Sequence, residues 1–274
     1  MSVYNLPRRR RDVLPSPLFL AVLAVAAVGG ALAWAGDTGS RSGRFGVFLL
    51  VLGGWVVSVC LHEFAHAFIA FRAGDRSVEG RGYLTLNPFK YAHPVLSILL
   101  PLVFIVQGGI GLPGGAVYLH RHAFRSRAMQ SLAAAGGPVT NLVMAAILLA
   151  VAKPHVPSGN YVAFDQLYSG HLQFWSAVAF LGFLQVTAAV LNLLPIPGLD
   201  GYAIIEPYLD PQTQQYGDKI KPWGLLGVIV ILQLNSLNDA FFRLVNTIYD
   251  AFGVGRAGYE LGHELFKFWT KSAF

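Results

Sequence analysis

The residues best suited to chemistry in this 274-residue sequence lie at 62–66, His-Glu-Phe-Ala-His, which fits the pattern H-E-x-x-H. In a helix, positions four apart share a face, so both imidazoles can bind one metal ion while Glu63 lies beside them. The pattern interrupts an apolar run from 45 to 71, where inserting a carboxylate costs about 2.5 to 3.5 kcal/mol. A bound cation would offset that cost. The alternative is a polar cluster that hydrogen-bonds between helices, as in a proton-coupled transporter.

A metal ion held by two histidines needs a third protein ligand, because catalytic zinc sites use three and keep the fourth position for water. Asp200 is the candidate, since it follows directly on the uncharged run 166–199. Pro195 and Pro197 end the helix there, and a short turn can bring the carboxylate back toward the core. Taken alone, Asp200 before Gly201 is more typical of a turn cap. Because the histidine helix lacks a third ligand, we favour the metal interpretation.

Composition places these residues in a membrane protein. Only 12% of the residues are charged and 54% are hydrophobic, whereas an average soluble domain has about twice that share of charge. The net charge of +6 does not predict nucleic-acid binding, because the basic residues form short clusters between apolar blocks, as membrane-flanking anchors do. The single cysteine, Cys60, excludes an intramolecular disulfide and a thiolate metal cluster.

The apolar stretches predict an all-α polytopic membrane protein with about six membrane segments, one of them broken. The unbroken stretches cover 17–35, 45–71, 128–152, 166–199 and 222–238. Arg8 to Arg11 precede the first stretch, so the positive-inside rule places the N-terminus in the cytoplasm. The alternative for this stretch is a cleavable signal peptide, because Ala33-Trp34-Ala35 resembles a cleavage site. Residues 222–250 could form one helix or two.

The broken segment lies between the second and third core helices. Residues 91–119 contain three prolines and five glycines, and they have no Asp, Glu, Lys or Arg and only one histidine, His93. We expect a re-entrant hairpin that enters and leaves on one side, since irregular backbone at membrane depth must pack against protein or line a cavity. The preceding stretch, Val78 to Asn87, has the alternation and the Gly/Pro punctuation of one or two short β-strands. Such strands, or the edge of the re-entrant hairpin, could hold an extended substrate segment by strand addition.

Three motifs together resemble the site-2 protease family of intramembrane zinc metalloproteases. Its members pair an HExxH helix with a Gly-Pro-x-x-Asn helix and a later Asn-x-x-Pro-x-Pro-x-Leu-Asp-Gly segment. All three occur here in order, at 62–66, 137–141 and 192–201, and the similarity spans about 45–205. The motifs reach one depth of the bilayer only if the run 128–152 starts on the side where the second helix ends, as a re-entrant hairpin would allow.

The resemblance implies a metal site with one zinc ion per chain, and a general base that acts on zinc-activated water. The residues that it implies are three metal ligands, one catalytic residue and two substrate or oxyanion residues: His62, His66 and Asp200; Glu63; and Asn141 and Asn192. The role of the last of these is the least defined.

The expected function is hydrolysis of peptide bonds in or near the transmembrane segments of single-span membrane proteins. The alternatives are a metal or proton transporter that uses the same residues, and a scaffold that binds membrane helices without cutting them. We expect one membrane-embedded domain over 1–274, with a catalytic core at about 45–205 and C-terminal helices at 222–274, in a compact form without an appended PDZ or CBS domain. We expect the protein to lie in a prokaryotic plasma membrane, with its active site nearer the cytoplasm. The expected partner besides substrates is the lipid bilayer, and no nucleic acid is expected. The oligomeric state is left open.

Overall fold

The computed structural model describes residues 15–37, 39–91, 123–157 and 170–270. All regular elements in these ranges are helical. The α-helices are α1 (Pro17–Ala35), α2 (Arg41–Ala73), α3 (Ser77–Gly80), α4 (Pro88–Tyr91), α5 (Arg127–Ala152), α6 (Leu172–Asn192), α7 (Asp200–Ile205), α8 (Pro211–Ile220), α9 (Gly224–Leu232), α10 (Asn235–Ala251) and α11 (Arg256–Phe266). Short 3₁₀ turns lie at Tyr83–Thr85, Lys153–His155, Glu206–Tyr208 and Lys221–Trp223.

Four of the described helices are long and apolar enough to span a membrane: α1, α2, α5 and α6. The pair formed by 211–232 and α10 is bent by 95° and counts as a fifth span at most. The described part of the chain therefore has four or five membrane-capable helices, and the predicted number of about six is not confirmed. The predicted hairpin at 91–119 lies outside the described residues, apart from Tyr91 at the end of α4. The region 222–250 forms two helices, α9 and α10.

The prediction of short β-strands at Val78 to Asn87 is wrong. This stretch contains most of α3 and a 3₁₀ turn, and the described ranges contain no strand. Gly82 and Leu86 have left-handed backbone, with φ of 76° and 55°, which interrupts an extended chain. Val78 and Leu84 are buried in a cluster with residues of α2, so the segment packs on a helix. It offers no strand edge to a substrate.

Small residues allow α1 and α2 to pack closely in antiparallel orientation. A Cβ on Gly46 would lie 2.7 Å from the carbonyl oxygen of Gly29, and a Cβ on Gly53 would lie 2.9 Å from the Cβ of Ala26. Helices in a bilayer associate through such packing, because lipid tails are as apolar as the side chains. The glycines therefore fix how α1 sits on α2.

Helix α6 is the centre of the bundle, because 89% of its most apolar 18-residue stretch is buried. It runs parallel to α2: a Cβ on Gly54 would lie 2.6 Å from Leu181 Cδ2, and one turn further along both helices Gln185 Nε2 donates to Ser58 Oγ at 3.0 Å. The hydrophobic core joins residues of α1, α2, α5, α6, α9, α10 and α11.

Helix α5 begins at the end of the bundle where α2 finishes. The Arg125 backbone N–H, just before α5, donates to the Ala73 carbonyl at the last residue of α2, at 3.2 Å. The end of α2 and the start of α5 thus lie at one end of the bundle. This is the arrangement that the three motifs require in order to meet at one depth.

The α1–α2 contact predicts a difference between two glycine substitutions. Gly46→Ala should lower the free energy of unfolding by about 1 to 3 kcal/mol, because backbone atoms of α1 occupy the space of the new methyl group. Gly227→Ala in α9 is the matched control, since no atom lies within 4 Å of its added Cβ, and helix propensity alone should stabilise it by up to about 1 kcal/mol. Denaturation of detergent-solubilised protein, followed by circular dichroism, measures both. Equal stabilities of the two variants would contradict the packing.

Candidate metal centre

The HExxH residues lie in the second half of α2, on the side that faces the bundle interior. His62, Glu63 and His66 are 8%, 3% and 5% exposed. The helical prediction for this motif is confirmed, because α2 continues unbroken through it to Ala73. Both imidazoles therefore point inward from consecutive turns of one helix.

Asp200 reaches the histidines because the chain turns back after α6. Helix α6 ends at Asn192, and Gly198 takes a left-handed backbone with φ of 103° shortly before α7 begins at Asp200. A Cβ on Gly201 would overlap the carbonyl oxygen of Leu193, so the turn is too tight for a side chain there. The predicted fold-back after the two prolines is what the structure contains.

The three predicted ligand residues converge. The His62 and His66 Nε2 atoms are 3.1 Å apart, and the Asp200 carboxylate oxygens lie 3.2 Å from His62 Nε2 and 3.4 Å from His66 Nε2. Among the described residues these three form a group that could hold a metal ion, with their ligand atoms within 4.8 Å of one another.

The other nitrogen of each imidazole is occupied by an acceptor. His66 Nδ1 donates to the Ala133 carbonyl at 2.7 Å, and His62 Nδ1 donates to Asn141 Oδ1 at 3.2 Å. A neutral imidazole protonated at Nδ1 presents a lone pair at Nε2, which is how outer partners prepare histidines for metal binding. Two lone pairs and the carboxylate of Asp200 thus face one point, and a cation between them turns their mutual repulsion into attraction.

The spacing and the donor set fit zinc. Zinc–nitrogen bonds of 2.0–2.1 Å in a tetrahedral site imply donor–donor separations of about 3.3 Å, and the three separations here are 3.1, 3.2 and 3.4 Å. Two histidines and one carboxylate make a three-ligand set of the catalytic kind. The Asp200 side chain is 22% exposed, against 10% and 7% for His62 and His66, so the site is most open on the aspartate side.

Gly137, in α5, leaves room for this centre. A Cβ on Gly137 would overlap the Nε2 atoms of both His62 and His66. The glycine belongs to the Gly-Pro-x-x-Asn motif, which by itself did not predict this role. Gly137 lies one turn before Asn141, so the two residues share a face of α5. That spacing was the sequence signal for a place beside the metal centre.

The two predicted asparagines occupy different places. Asn141 is 4% exposed and contacts the centre through His62 Nδ1. Asn192 is 3% exposed at the last residue of α6, and in the described part of the chain no hydrogen bond joins it to the three ligand candidates. The Ala133 carbonyl, the partner of His66 Nδ1, was not predictable, because a backbone oxygen has no sequence signature.

Gly137→Ala should remove metal from the site without unfolding the protein. The added methyl group would occupy the space next to both Nε2 atoms, and bound zinc should fall from about one per chain to a small fraction of that. Mass spectrometry of the metal in purified protein measures this. Gly80→Ala in α3, with open space around its Cβ, should keep its zinc; a full zinc content in Gly137→Ala would contradict the geometry.

Substitutions at Asn141 distinguish an orienting role from a role in binding the substrate. Asn141→Leu removes the acceptor of His62 Nδ1–H and should weaken zinc binding about 10- to 100-fold, as the loss of outer partners does. Asn141→Asp keeps an oxygen acceptor and should retain most of the affinity. Chelator competition measures both. If Asn141→Leu binds zinc as tightly as the wild type, the contact with His62 has no orienting role.

The comparisons with known proteins agree with this centre. Peptidase family M50 matches residues 47–234, which include both the HExxH motif and Asp200. "Putative zinc metalloprotease Rip2" of Mycolicibacterium smegmatis is 51% identical over 267 residues, 97% of this chain and 98% of that protein. The protein of the same name in Mycobacterium tuberculosis strain H37Rv is 48% identical over 263 residues, 96% of this chain and 97% of its own length.

A more distant relative covers less of the chain. "Putative zinc metalloprotease YwhC" of Bacillus subtilis is 29% identical over 211 residues, 71% of this chain and 90% of that protein. No solved structure matches the chain significantly. The resemblance to site-2 proteases is therefore confirmed by sequence comparison, and the chain belongs to peptidase family M50.

Proposed function

We propose that this integral membrane protein is a zinc metalloprotease that hydrolyses peptide bonds within or beside the membrane-spanning segments of other proteins. The observation that carries the proposal is the convergence of His62 Nε2, His66 Nε2 and the Asp200 carboxylate within 3.4 Å of one another. The centre lies inside a bundle of membrane-capable helices. Membership of peptidase family M50 supplies the reaction class.

Each site residue has a proposed task. A zinc ion held by His62, His66 and Asp200 would polarise the scissile carbonyl and lower the pKa of water at the site to about 7. Glu63 takes the proton of the attacking water on its carboxylate and passes it to the leaving amine. Its burial supports this role, because a carboxylate shielded from solvent keeps the proton until the amine accepts it.

The two asparagines have supporting tasks in the proposal. Asn141 holds the His62 ring through Nδ1, which leaves Nε2 directed at the centre. Asn192 is proposed for the substrate or its oxyanion, because its amide is buried at the end of α6, on the same side of the bundle as Asp200. An amide N–H placed near the developing charge would stabilise it.

The substrates are proposed to be single-span membrane proteins. A substrate helix hides its carbonyls in internal hydrogen bonds, so a segment must unwind before it reaches a centre buried among helices. A single apolar helix free in the bilayer can do so more readily than one packed in a polytopic bundle. Lipid surrounds the enzyme, since exposed apolar side chains such as Val139 and Ile147 cover the outside of α5.

We propose that the end of the bundle with the metal centre faces the cytoplasm of a prokaryotic cell. Arginines flank this end, at the end of α2 and around the start of α5: Arg72, Arg76, Arg125 and Arg127. At the opposite end, Trp34 and Trp175 pack edge to face at 6.1 Å, as aromatic residues do at a membrane interface. The positive-inside rule supports this orientation.

We also propose that residues 1–274 act as one membrane-embedded domain with its catalytic core at about 45–205. Residues from the C-terminal helices, among them Val245, Leu261 and Leu265, share one hydrophobic core with residues of α2, α5 and α6. A shared core supports a single folding unit.

Glu63→Gln tests the reaction. The variant should keep its zinc, because Glu63 is not in the ligand group, and it should lose cleavage by at least about 100-fold, as expected for removal of a general base. Wild type and variant are reconstituted in vesicles with a panel of single-span membrane proteins, and the products are identified by mass spectrometry. Glu260→Gln, at an exposed position of α11, is the control and should cut normally.

Two results would contradict the proposal. One is cleavage by Glu63→Gln at the wild-type rate. The other is a wild type that leaves every substrate intact while zinc crosses the vesicle membrane, which would identify a transporter.

A further inference from the structure

The helix that brings Asp200 to the metal centre is too short to be stable without contacts to the rest of the protein. Helix α7 has six residues, and isolated helices of this length are not stable in water. One of its supports comes from α5, where Ser131 Oγ donates to the Ile204 carbonyl at 2.6 Å. This bond holds the far end of α7 against α5.

A second support is an ion pair at the end of α7. Glu206, the residue after α7, is 3% exposed, and Lys221 Nζ lies 2.6 Å from its Oε1 atom. Lys221 also bonds Asp218 Oδ1 at 3.0 Å and lies 5.7 Å from the centre of the Tyr202 ring. A carboxylate this deeply buried depends on a counter-charge, and Lys221 supplies one at the Oε1 atom of Glu206.

The backbone around Lys221 contacts the loop in front of Asp200. A Cβ on Gly198 would lie 2.7 Å from the carbonyl oxygen of Lys221, and a Cβ on Gly224 would overlap the carbonyl oxygen of Pro197. The segment that leads into α9 therefore touches the chain on both sides of Asp200: the loop before it directly, and the helix after it through Glu206.

We propose that Lys221 is a positioning residue for the metal centre: its ion pair with Glu206 holds α7 so that the Asp200 carboxylate stays at the two histidines. This inference rests on the proposed function of the centre. Without Lys221, Glu206 would lose the cation at its Oε1 atom, and the end of α7 would be held less firmly. The carboxylate of Asp200 would then leave the position at which it faces both Nε2 atoms.

A double-mutant cycle on zinc affinity tests the role of Lys221. The full chain in detergent is titrated with zinc against a chelator for the wild type, Lys221→Met, Asp200→Ala and the double variant. We expect Lys221→Met to weaken zinc binding about 10-fold, within the range for partners outside the ligand set. In the Asp200→Ala background the same change should have no further effect, because the ligand that it positions is gone. Lys221→Arg should restore the affinity to within about twofold, since it retains the charge.

The chain offers a matched control in Lys267. Its Nζ bonds Glu264 Oε1 three residues earlier at 2.9 Å, and its side chain is 22% exposed, against 28% for Lys221. Lys267→Met should leave zinc affinity unchanged. Glu206→Gln removes the acidic partner of the ion pair and replaces Lys221→Met in the test if that variant does not fold. It should weaken zinc binding to a similar extent.

Two outcomes would overturn the inference. One is an unchanged zinc affinity in Lys221→Met or, where that variant does not fold, in Glu206→Gln. The other is an equal loss in the wild-type and Asp200→Ala backgrounds, which would show a general effect on the fold. A different result, Asp200→Ala binding zinc as tightly as the wild type, would overturn the proposed ligand set itself.

Discussion

Three electron-pair donors meet at one point inside an apolar helix bundle, and the other features of the site follow from that constraint. A carboxylate and two imidazole nitrogens within 3.4 Å of one another are unfavourable in a low-dielectric interior unless a cation joins them. Their orientation is set from outside, by the Ala133 carbonyl and by Asn141, which accept the protons of the two Nδ1 atoms. The protein thereby prepares a site that favours a metal ion over an empty cavity.

The helix packing delivers these donors to one level of the bundle. Parallel α2 and α6 end on the same side, and α5 starts there. This arrangement brings the HExxH motif, the Gly-Pro-x-x-Asn motif of α5 and the turn after α6 together. Gly137 allows α5 to approach the histidines. The bundle interior has no room for a larger side chain at position 137. The close packing of α5 on α2 and the geometry of the metal centre therefore depend on the same glycine.

Periodicity and charge scarcity predicted the parts of the fold that depend on local sequence. The first helix has the predicted bounds, Pro17–Ala35, and the HExxH face follows from the helical repeat. Asp200 was predictable because a carboxylate at the end of an apolar run is unfavourable unless a cation or another polar partner stabilises it. Its convergence with the histidines agrees with that expectation.

The features that sequence did not predict depend on contacts distant in the chain. Val78 to Asn87 alternates like a strand, yet it folds into the end of α3 and a 3₁₀ turn. Val78 and Leu84 are buried in a cluster with residues of α2, and the left-handed backbone at Leu86 interrupts an extended chain. Strands need a partner strand, and the sequence pattern of one segment does not show whether a partner exists. The Ala133 carbonyl and the ion pair of Lys221 with Glu206 likewise become visible only when the chain is folded.

The turn after α6 has a consequence for the integrity of the chain as well as for its chemistry. Because Asp200 comes from the second half of the core and the histidines from the first, a bound ion would cross-link segments about 130 residues apart, and closing a loop of that length removes substantial entropy from the unfolded state. Metal binding would then be folding free energy. The ion required for hydrolysis would also cross-link the two halves of the core, so a metal-free chain would be less stable as well as inactive.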